Sequence, residues 1–298
     1  MKIAFAAALA ALAATAGAAQ NGYERNRMDA LSTQFLTAPE VPLKMISYGK
    51  DHWQEISFRP ARNSATPAPV VIMIFGLGDL GYQTSWMIHR LHEEGFATAS
   101  IGYRTDERFP LRGAIRDIAS AVAYLRSQSK RREIDPNRLI LLGSGAGAQI
   151  AGLLATDPAW LEAAGVPFAS VRGMAALNGS GFDVGETVAK APRHLRAGYR
   201  RLFGKEPADW AGLSPLDHLA TPNAPGFLFL FEEQETRLRA ESEGAAARFA
   251  AAGADARSEA LPQWREDMLE TYLLAPKGKV GESLLGFFRS AAAMPAGG

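Results

Sequence analysis

The chain has 298 residues, of which 47% are hydrophobic and 21% are charged, enough to bury a large core in one or two domains. Its formal net charge is +1, and loss of Lys2 with a leader would balance the charges, so no overall basic excess favours nucleic acid or an anionic membrane. The absence of cysteine excludes disulfide bonds and a lipid-bearing N-terminal cysteine.

Residues 1–19 have the pattern of a secretory signal peptide. Lys2 precedes an alanine-rich apolar run, and small residues follow through Ala19. The run is weakly apolar and about 17 residues long, at the bottom of the range that spans a bilayer, so cleavage before Gln20 is favoured over retention as an anchor. We therefore expect a periplasmic or secreted bacterial protein with no membrane span after the signal is removed.

The rest of the chain alternates strands and helices without a linker. Residues 20–40 and 293–298 are expected to be loosely ordered, which leaves one domain over residues 41–292. Continuous apolar runs predict strands, and periodic runs between them predict helices. The predicted strands are 70–75, 97–101, 139–142, 174–177, 227–231 and 256–261; the predicted helices are 84–94, a segment around 115–125, 149–154, 239–252 and a last helix around 284–288.

This alternation predicts an α/β fold. Apolar strands separated by helices are typical of a mostly parallel sheet that is covered on both faces. Ligands of such sheets bind beyond the carboxyl ends of the strands. Residues 184–212, rich in arginine, alanine and aromatic residues, are a candidate for a small cap over that edge.

The most informative segment is Gly143-Ser144-Gly145-Ala146-Gly147. It lies between a predicted strand and a predicted helix, which is the setting of the nucleophile elbow G-x-S-x-G. Gly145 stands where that motif has its serine. Because glycine has no side chain, it cannot attack a carbonyl carbon.

The whole pattern resembles the α/β-hydrolase superfamily, and in particular its carboxylesterase-like branch of BD-FAE-like and hormone-sensitive-lipase-like proteins. The resemblance extends over residues 43–290 and rests on several motifs besides the elbow. It implies the α/β-hydrolase fold, with a mostly parallel central sheet and helices on both faces. The motifs are Tyr48-Gly49, Tyr103-Arg104, Pro110 with Asp117, Ile134–Arg138 (similar to the family's DPxR), and Phe203-Gly204 followed by Ser214-Pro215-Leu216 (similar to its FG and SPL).

The resemblance also assigns an oxyanion loop. The family's H-G-G-G sequence falls on residues 75–78, which are Phe75-Gly76-Leu77-Gly78. Backbone N–H groups of Leu77, Gly78 and Ala146 are the implied oxyanion donors, and they do not depend on side chains.

The catalytic triad that the resemblance implies is degenerate. Its three positions fall on Gly145 for the nucleophile, Glu235 for the acid and Asp267 for the base. No histidine follows His218, so the family's C-terminal base is missing in any local alignment. A serine hydrolase needs all three groups, and only an acid remains.

We therefore predict an exported α/β-hydrolase-fold protein that has lost ester hydrolysis. Two alternatives stay open: an active carboxylic-ester hydrolase with non-standard machinery, and a small-molecule-binding module on the same scaffold. We expect no cofactor, no metal and no nucleic-acid partner, and a small-molecule ligand as the candidate partner.

Other polar residues allow sharper interpretations that we consider weaker. Ser144 is adjacent to the elbow, but neighbours on so tight a turn diverge, so it should point away from the pocket. His89 and His92 have the spacing of a metal pair on one helix, although an ordinary helix face is favoured. Glu235, Asp267 and Asp79 would form a cation pocket if they met; solvated carboxylates are the preferred interpretation.

Overall fold

The computed structural model describes residues 41–62, 67–76, 85–104, 111–220, 224–261 and 279–294. Within them, one sheet has the strand order β1-β2-β4-β3-β5-β6-β7-β8. β2 pairs antiparallel with β1 and β4, and the pairings from β4 through β8 are parallel. The predicted mostly parallel sheet is thus confirmed. The strands are β1 (Lys44–Ser47), β2 (Glu55–Arg59), β3 (Ala68–Ile74), β4 (Ala97–Ile101), β5 (Ile134–Ser144), β6 (Val171–Leu177), β7 (Gly226–Glu232) and β8 (Asp255–Leu261).

Helices cover both faces of this sheet, as predicted. The described helices are α1 (Ser85–Glu93), α2 (Leu111–Ser127), α3 (Ser129–Arg132), α4 (Ala146–Thr156), α5 (Pro158–Glu162), α6 (Val184–Lys190), α7 (Arg193–Phe203), α8 (Thr236–Ala251) and α9 (Lys279–Ala293). Apolar residues of α2, α4 and α8 form one buried cluster on one face. Those of α1 and α9 form a second cluster on the other face. None of the helices described is long and apolar enough to cross a membrane.

β7 shows why the central strands contain almost only apolar residues. Its Phe-Leu-Phe-Leu-Phe sequence is buried throughout. Phe227 and Phe229 belong to the cluster with α8, where the ring of Phe249 stacks on Phe227 at a centroid distance of 4.2 Å. Leu228 and Leu230 belong to the cluster with α9. Successive side chains enter opposite faces of a strand, so a sheet with both faces covered requires an unbroken apolar run.

The structure differs from the sequence-based prediction at several boundaries. β1 and β2 were not predicted, because they have only four and five residues with polar side chains among them. β5 begins at Ile134, five residues before the predicted start, because Ile134 pairs with Ala68 ahead of the apolar run. α8 begins at Thr236, three residues before its predicted start.

Residues 184–212 form α6, α7 and a 3₁₀ turn at Pro207–Trp210. Hydrogen bonds fasten this segment to the sheet's helices at both ends. The Gln149 amide of α4 donates to the Leu213 carbonyl at 2.8 Å, and the Glu241 carboxylate of α8 accepts from the Gly181 amide at 2.9 Å. The candidate cap therefore packs next to the first turns of α4.

Three of the motifs that carry the resemblance meet in one buried polar network. The Asp117 carboxylate accepts hydrogen bonds from the Arg104 side chain at 2.7 and 2.8 Å, from the Arg104 backbone amide and from the Gln54 amide. This contact raises the pKa of the Arg104 guanidinium. The Tyr48 hydroxyl donates to the Gly102 carbonyl at 2.7 Å, and burial raises the pKa of that phenol. The network fixes the segment that leaves β4.

We predict that Asp117→Asn lowers the free energy of unfolding by about 2–3 kcal/mol, because it removes a buried negative charge that four donors share. Glu243→Gln is the matched control. Glu243 pairs with Arg239 at 3.0 Å on the exposed side of α8, so its loss should change stability by about 0.5 kcal/mol or less. Urea unfolding of both variants measures the difference, and equal midpoints would contradict this account of the network.

Candidate functional site

A sharp turn joins β5 to α4 at Gly145. Its φ is 55° and its ψ is −122°, in the region that favours glycine over residues with a side chain. The Gly145 amide donates to the Leu177 carbonyl of β6 at 3.1 Å, and the Gly145 carbonyl accepts from the Ala148 amide at 3.1 Å. The structure thus contains the strand–turn–helix elbow that the sequence predicts at this position.

The glycines on either side of Gly145 are required by close packing. A Cβ atom on Gly147 would lie 2.0 Å from the Ile74 carbonyl oxygen, and one on Gly143 would lie 2.4 Å from the Ala148 Cα. A Cβ atom on Gly145 itself would have no described atom within 4 Å. Residue 145 therefore has room for a side chain but an unfavourable backbone conformation for one.

One of the predicted oxyanion donors lies directly at the elbow. Ala146 is the first residue of α4, so its N–H has no acceptor within the helix. The chain leaving β3 passes close by, because a Cβ atom on Gly76 would be 3.7 Å from the Ala146 nitrogen. The Tyr103 hydroxyl donates to the Phe75 carbonyl at 2.7 Å and holds this strand end in place. The other two predicted donors, Leu77 and Gly78, lie outside the described residues.

Asn178 is a residue of this edge that the sequence analysis missed. It follows β6 with a φ of 46°, which is uncommon for a residue with a side chain. The backbone N–H of Asn178 donates to the Leu230 carbonyl at 2.8 Å, and its side-chain oxygen accepts from the backbone N–H of Glu232 at 2.9 Å. Asn178 thereby joins the carboxyl ends of β6 and β7. The signal was an Asn-Gly pair directly after an apolar run, a strong turn signature.

The predicted acid lies beyond the end of β7. Glu235 is exposed and directly precedes α8, and its amide donates to the Glu232 carbonyl at 3.1 Å. Its side chain does not cap the helix. Asp267 and Asp79 lie outside the described residues, so the expectation that these carboxylates are solvated and form no cation pocket stays a prediction.

His218, the last histidine of the chain, lies at the opposite end of α4 from Gly145. Its Nε2 is 3.8 Å from an Asp157 carboxylate oxygen, and Asp157 directly follows the last residue of α4. The helix has 11 residues and is therefore about 16 Å long. This separation removes His218 as a base at the elbow.

Ser144 and His92 are two other candidate residues whose surroundings the structure describes. Ser144 ends β5, and strand alternation gives it the same face as Ile140 and Leu142, the face covered by α1 and α9. The His92 Nδ1 is 2.7 Å from the Pro60 carbonyl oxygen. Among the residues that the structure describes, no group of three histidine or acidic side chains is arranged to hold a metal ion.

Comparison with known proteins agrees with this architecture. The BD-FAE family model matches residues 57–166, a stretch that runs from β2 through the elbow and α4. Esterase LipC of Mycobacterium tuberculosis (strain ATCC 25618 / H37Rv) is 26% identical over 203 residues, which are 64% of this chain and 50% of that protein. These matches support an α/β-hydrolase family of the carboxylesterase-like kind for this chain.

Further matches are also to esterases. A probable isoprenylcysteine alpha-carbonyl methylesterase of Oryza sativa subsp. japonica is 25% identical over 54% of this chain and 40% of its own length. Esterase B of Lactobacillus rhamnosis superposes with a TM-score of 0.69 at 19% identity, covering 91% of this chain and 93% of that one. A bacterial heroin esterase gives 0.66 at 20% identity, covering 91% of each chain. The chain spans half or less of the length of the curated relatives described here.

We predict that Gly145→Ala and Gly145→Ser each lower the free energy of unfolding by about 1–2 kcal/mol, because they force a side chain into a positive-φ conformation. Gly244→Ala is the matched control. It lies within α8, and its Cβ would also meet nothing within 4 Å, so alanine should leave stability unchanged or raise it by up to about 1 kcal/mol. Thermal or denaturant unfolding of the three variants gives the comparison; unchanged stability at residue 145 would contradict the strain.

Proposed function

We propose that this carboxylesterase-like protein no longer hydrolyses esters through a serine nucleophile and is a pseudo-hydrolase. One observation carries the proposal: the residue at the tip of the elbow, with φ of 55° and ψ of −122°, is Gly145. A serine hydrolase needs a nucleophilic side chain at that tip, and glycine has none. Ser144 offers no substitute, because strand alternation turns its side chain toward the face of α1 and α9.

The missing base supports the same proposal. A serine hydroxyl is a weak nucleophile unless a base takes its proton. The family's histidine follows the last strands of the sheet, whereas this chain has no histidine after His218. His218 itself is beside Asp157 at the far end of α4. Loss of several triad groups costs about as much as loss of one, so the remaining site would give only about 10³–10⁴-fold acceleration over water.

Glycine at the elbow also has a physical advantage once catalysis is not needed. A side chain held in a sparsely populated backbone conformation costs on the order of 1–3 kcal/mol, which glycine avoids. Active-site residues commonly lower the stability of the fold, and Gly145 avoids that loss of stability at the elbow. The elbow keeps its backbone shape while losing the group that made it reactive.

A small-molecule-binding role is the second candidate, and the packing of the elbow favours it. The first turn of α4 still presents the Ala146 N–H and the positive end of the helix dipole beside Gly76. The space above Gly145 contains no described atom within 4 Å of a Cβ position. Such a binder would take a ligand at the site where its esterase relatives act.

We also propose that the chain is exported, because Met1–Ala19 has the composition of a cleavable signal peptide. Expression of the full chain in a bacterium, followed by N-terminal sequencing of the periplasmic product, tests this. A cytoplasmic product that keeps residues 1–19 would contradict it.

We predict that the purified protein turns over p-nitrophenyl acetate no faster than a heat-denatured sample and is not labelled by a fluorophosphonate. The reason is the absence of both a nucleophile at Gly145 and a histidine after His218. Ser144→Ala serves as the control for labelling outside the elbow. Labelling that disappears in this variant would identify Ser144 as a nucleophile and overturn the proposal.

A rescue experiment separates the nucleophile from the base. Gly145→Ser alone should stay inactive, because its hydroxyl has no base. Gly145→Ser combined with Asp267→His should give weak esterase activity, with Glu235 as the acid of the restored triad. That activity should fall as the pH drops through the histidine range. Activity in the single variant would show that a base already exists and would favour the non-standard hydrolase.

A further inference from the structure

A surface cavity of about 530 Å³ lies between α7 and the 3₁₀ turn at Pro207–Trp210. Its walls carry the cationic side chains Arg200, Arg201 and Lys205, the carboxylate of Glu206 and the indole of Trp210. Its volume falls within the range of about 300–1,000 Å³ that is typical of small-molecule sites. This cationic cavity belongs to the candidate cap and has no part in the elbow.

The charge here is local and is not explained by the composition of the whole protein. The chain has a formal net charge of only +1. α7 nevertheless has four arginines and no acidic residue, and Lys205 follows two positions after its end. Its apolar side chains pack inward, since Tyr199 and Leu202 contact the main core and the Tyr199 and Phe203 rings stack 5.7 Å apart. The helix is therefore fixed with its basic side outward.

The walls of the cationic cavity are held by hydrogen bonds of their own. The Trp210 indole N–H donates to the Gly204 carbonyl at 3.1 Å, which fixes the plane of the ring. Glu206 and Asp209 form a reciprocal capping box around the 3₁₀ turn. Arg112 of α2 donates to the Ala211 carbonyl directly after that turn at 2.5 Å. These bonds fix the indole and the 3₁₀ turn before a ligand binds, so this wall loses little entropy on binding.

The chemistry of the walls selects a class of ligand. Guanidinium groups bind carboxylates through paired hydrogen bonds, and an indole offers a flat apolar surface for a ring. The Glu206 carboxylate can accept hydrogen bonds from hydroxyl groups of a ligand. A sugar ring that carries hydroxyl groups and a carboxylate matches the arginines, Glu206 and the indole of Trp210.

We propose that the cationic cavity binds an acidic sugar, in which the carboxylate meets Arg200 and Arg201 and the ring packs on Trp210. The proposal goes beyond the loss of ester hydrolysis and does not depend on it, because no residue of the cavity belongs to the elbow. A flat anionic lipid surface is the competing occupant of a basic helix, and the concave indole-bearing wall favours the sugar.

Calorimetric titration with trigalacturonate, which carries one carboxylate per ring, tests the proposal on the purified protein. Maltotriose, a neutral trisaccharide of the same number of rings, is the ligand control. We expect trigalacturonate to bind with an affinity that falls as salt is added, and maltotriose not to bind. No binding of trigalacturonate, or equal binding of both sugars, would overturn the proposal.

Variants locate the binding and distinguish it from general charge attraction. Arg200→Gln should weaken trigalacturonate binding at least tenfold, and Trp210→Phe should weaken it several-fold. Arg193→Gln is the matched control, because Arg193 is an exposed arginine of α7 that does not line the cavity. An equal loss of trigalacturonate binding in Arg193→Gln would overturn the proposal, because it would show nonspecific attraction to the basic face of α7. Binding to phosphatidylglycerol vesicles that Arg200→Gln and Arg193→Gln weaken equally would do the same.

Discussion

The close approach of α4 to the end of β3 is the constraint on which the rest of the site depends. A Cβ atom on Gly147 would lie 2.0 Å from the Ile74 carbonyl oxygen, so only glycine allows the helix to start this near to the strand. The helix then places the Ala146 N–H beside the chain that leaves β3. Between strand and helix, the backbone must reverse within one residue, and Gly145 does so at a φ of 55°. The position of the helix end against the sheet edge follows from this turn.

The residues that form the elbow are distinct from the residue that would react in a hydrolase. Gly143 and Gly147 serve packing, because any side chain there would overlap backbone atoms. Residue 145 contributes least to packing, because a Cβ atom there would meet no described atom within 4 Å. The cost of a side chain at this position is the strain of its positive φ. A serine at residue 145 is therefore justified only by the reaction it performs. Glycine at this one position provides no side-chain nucleophile and leaves the surrounding fold intact.

The sequence predicted the central sheet well because both of its faces are covered. Runs such as Phe227–Phe231 must be apolar on every residue, and that requirement is visible without a structure. β1 and β2 carry no such signal, because they are short and mix polar with apolar side chains. The start of β5 was missed for a similar reason, since its first residues are a polar Asp-Pro-Asn-Arg segment that nevertheless pairs with β3.

The site was harder to predict than the sheet because it is assembled from ends of separate strands. The glycine motif identified the elbow, since its chemistry is local. Asn178 escaped notice, because its importance lies in contacts with Leu230 and Glu232, more than 50 residues away along the chain. The cationic cavity also depends on folding, because the indole of Trp210 comes to face α7 only through a 3₁₀ turn and a bond to Gly204.

Family motifs in different parts of the chain do different work. The segment that matches the BD-FAE family model, residues 57–166, contains motifs that hold the backbone in place: the Arg104–Asp117 pair, the Tyr103 bond to Phe75 and the elbow glycines. Loss of any of these would cost stability directly. The residue at the acid position, Glu235, is exposed and follows β7, and its side chain does not cap α8. A changed side chain there would leave the sheet and its two buried clusters in place, so a requirement for folding alone would preserve the first set of residues and not Glu235.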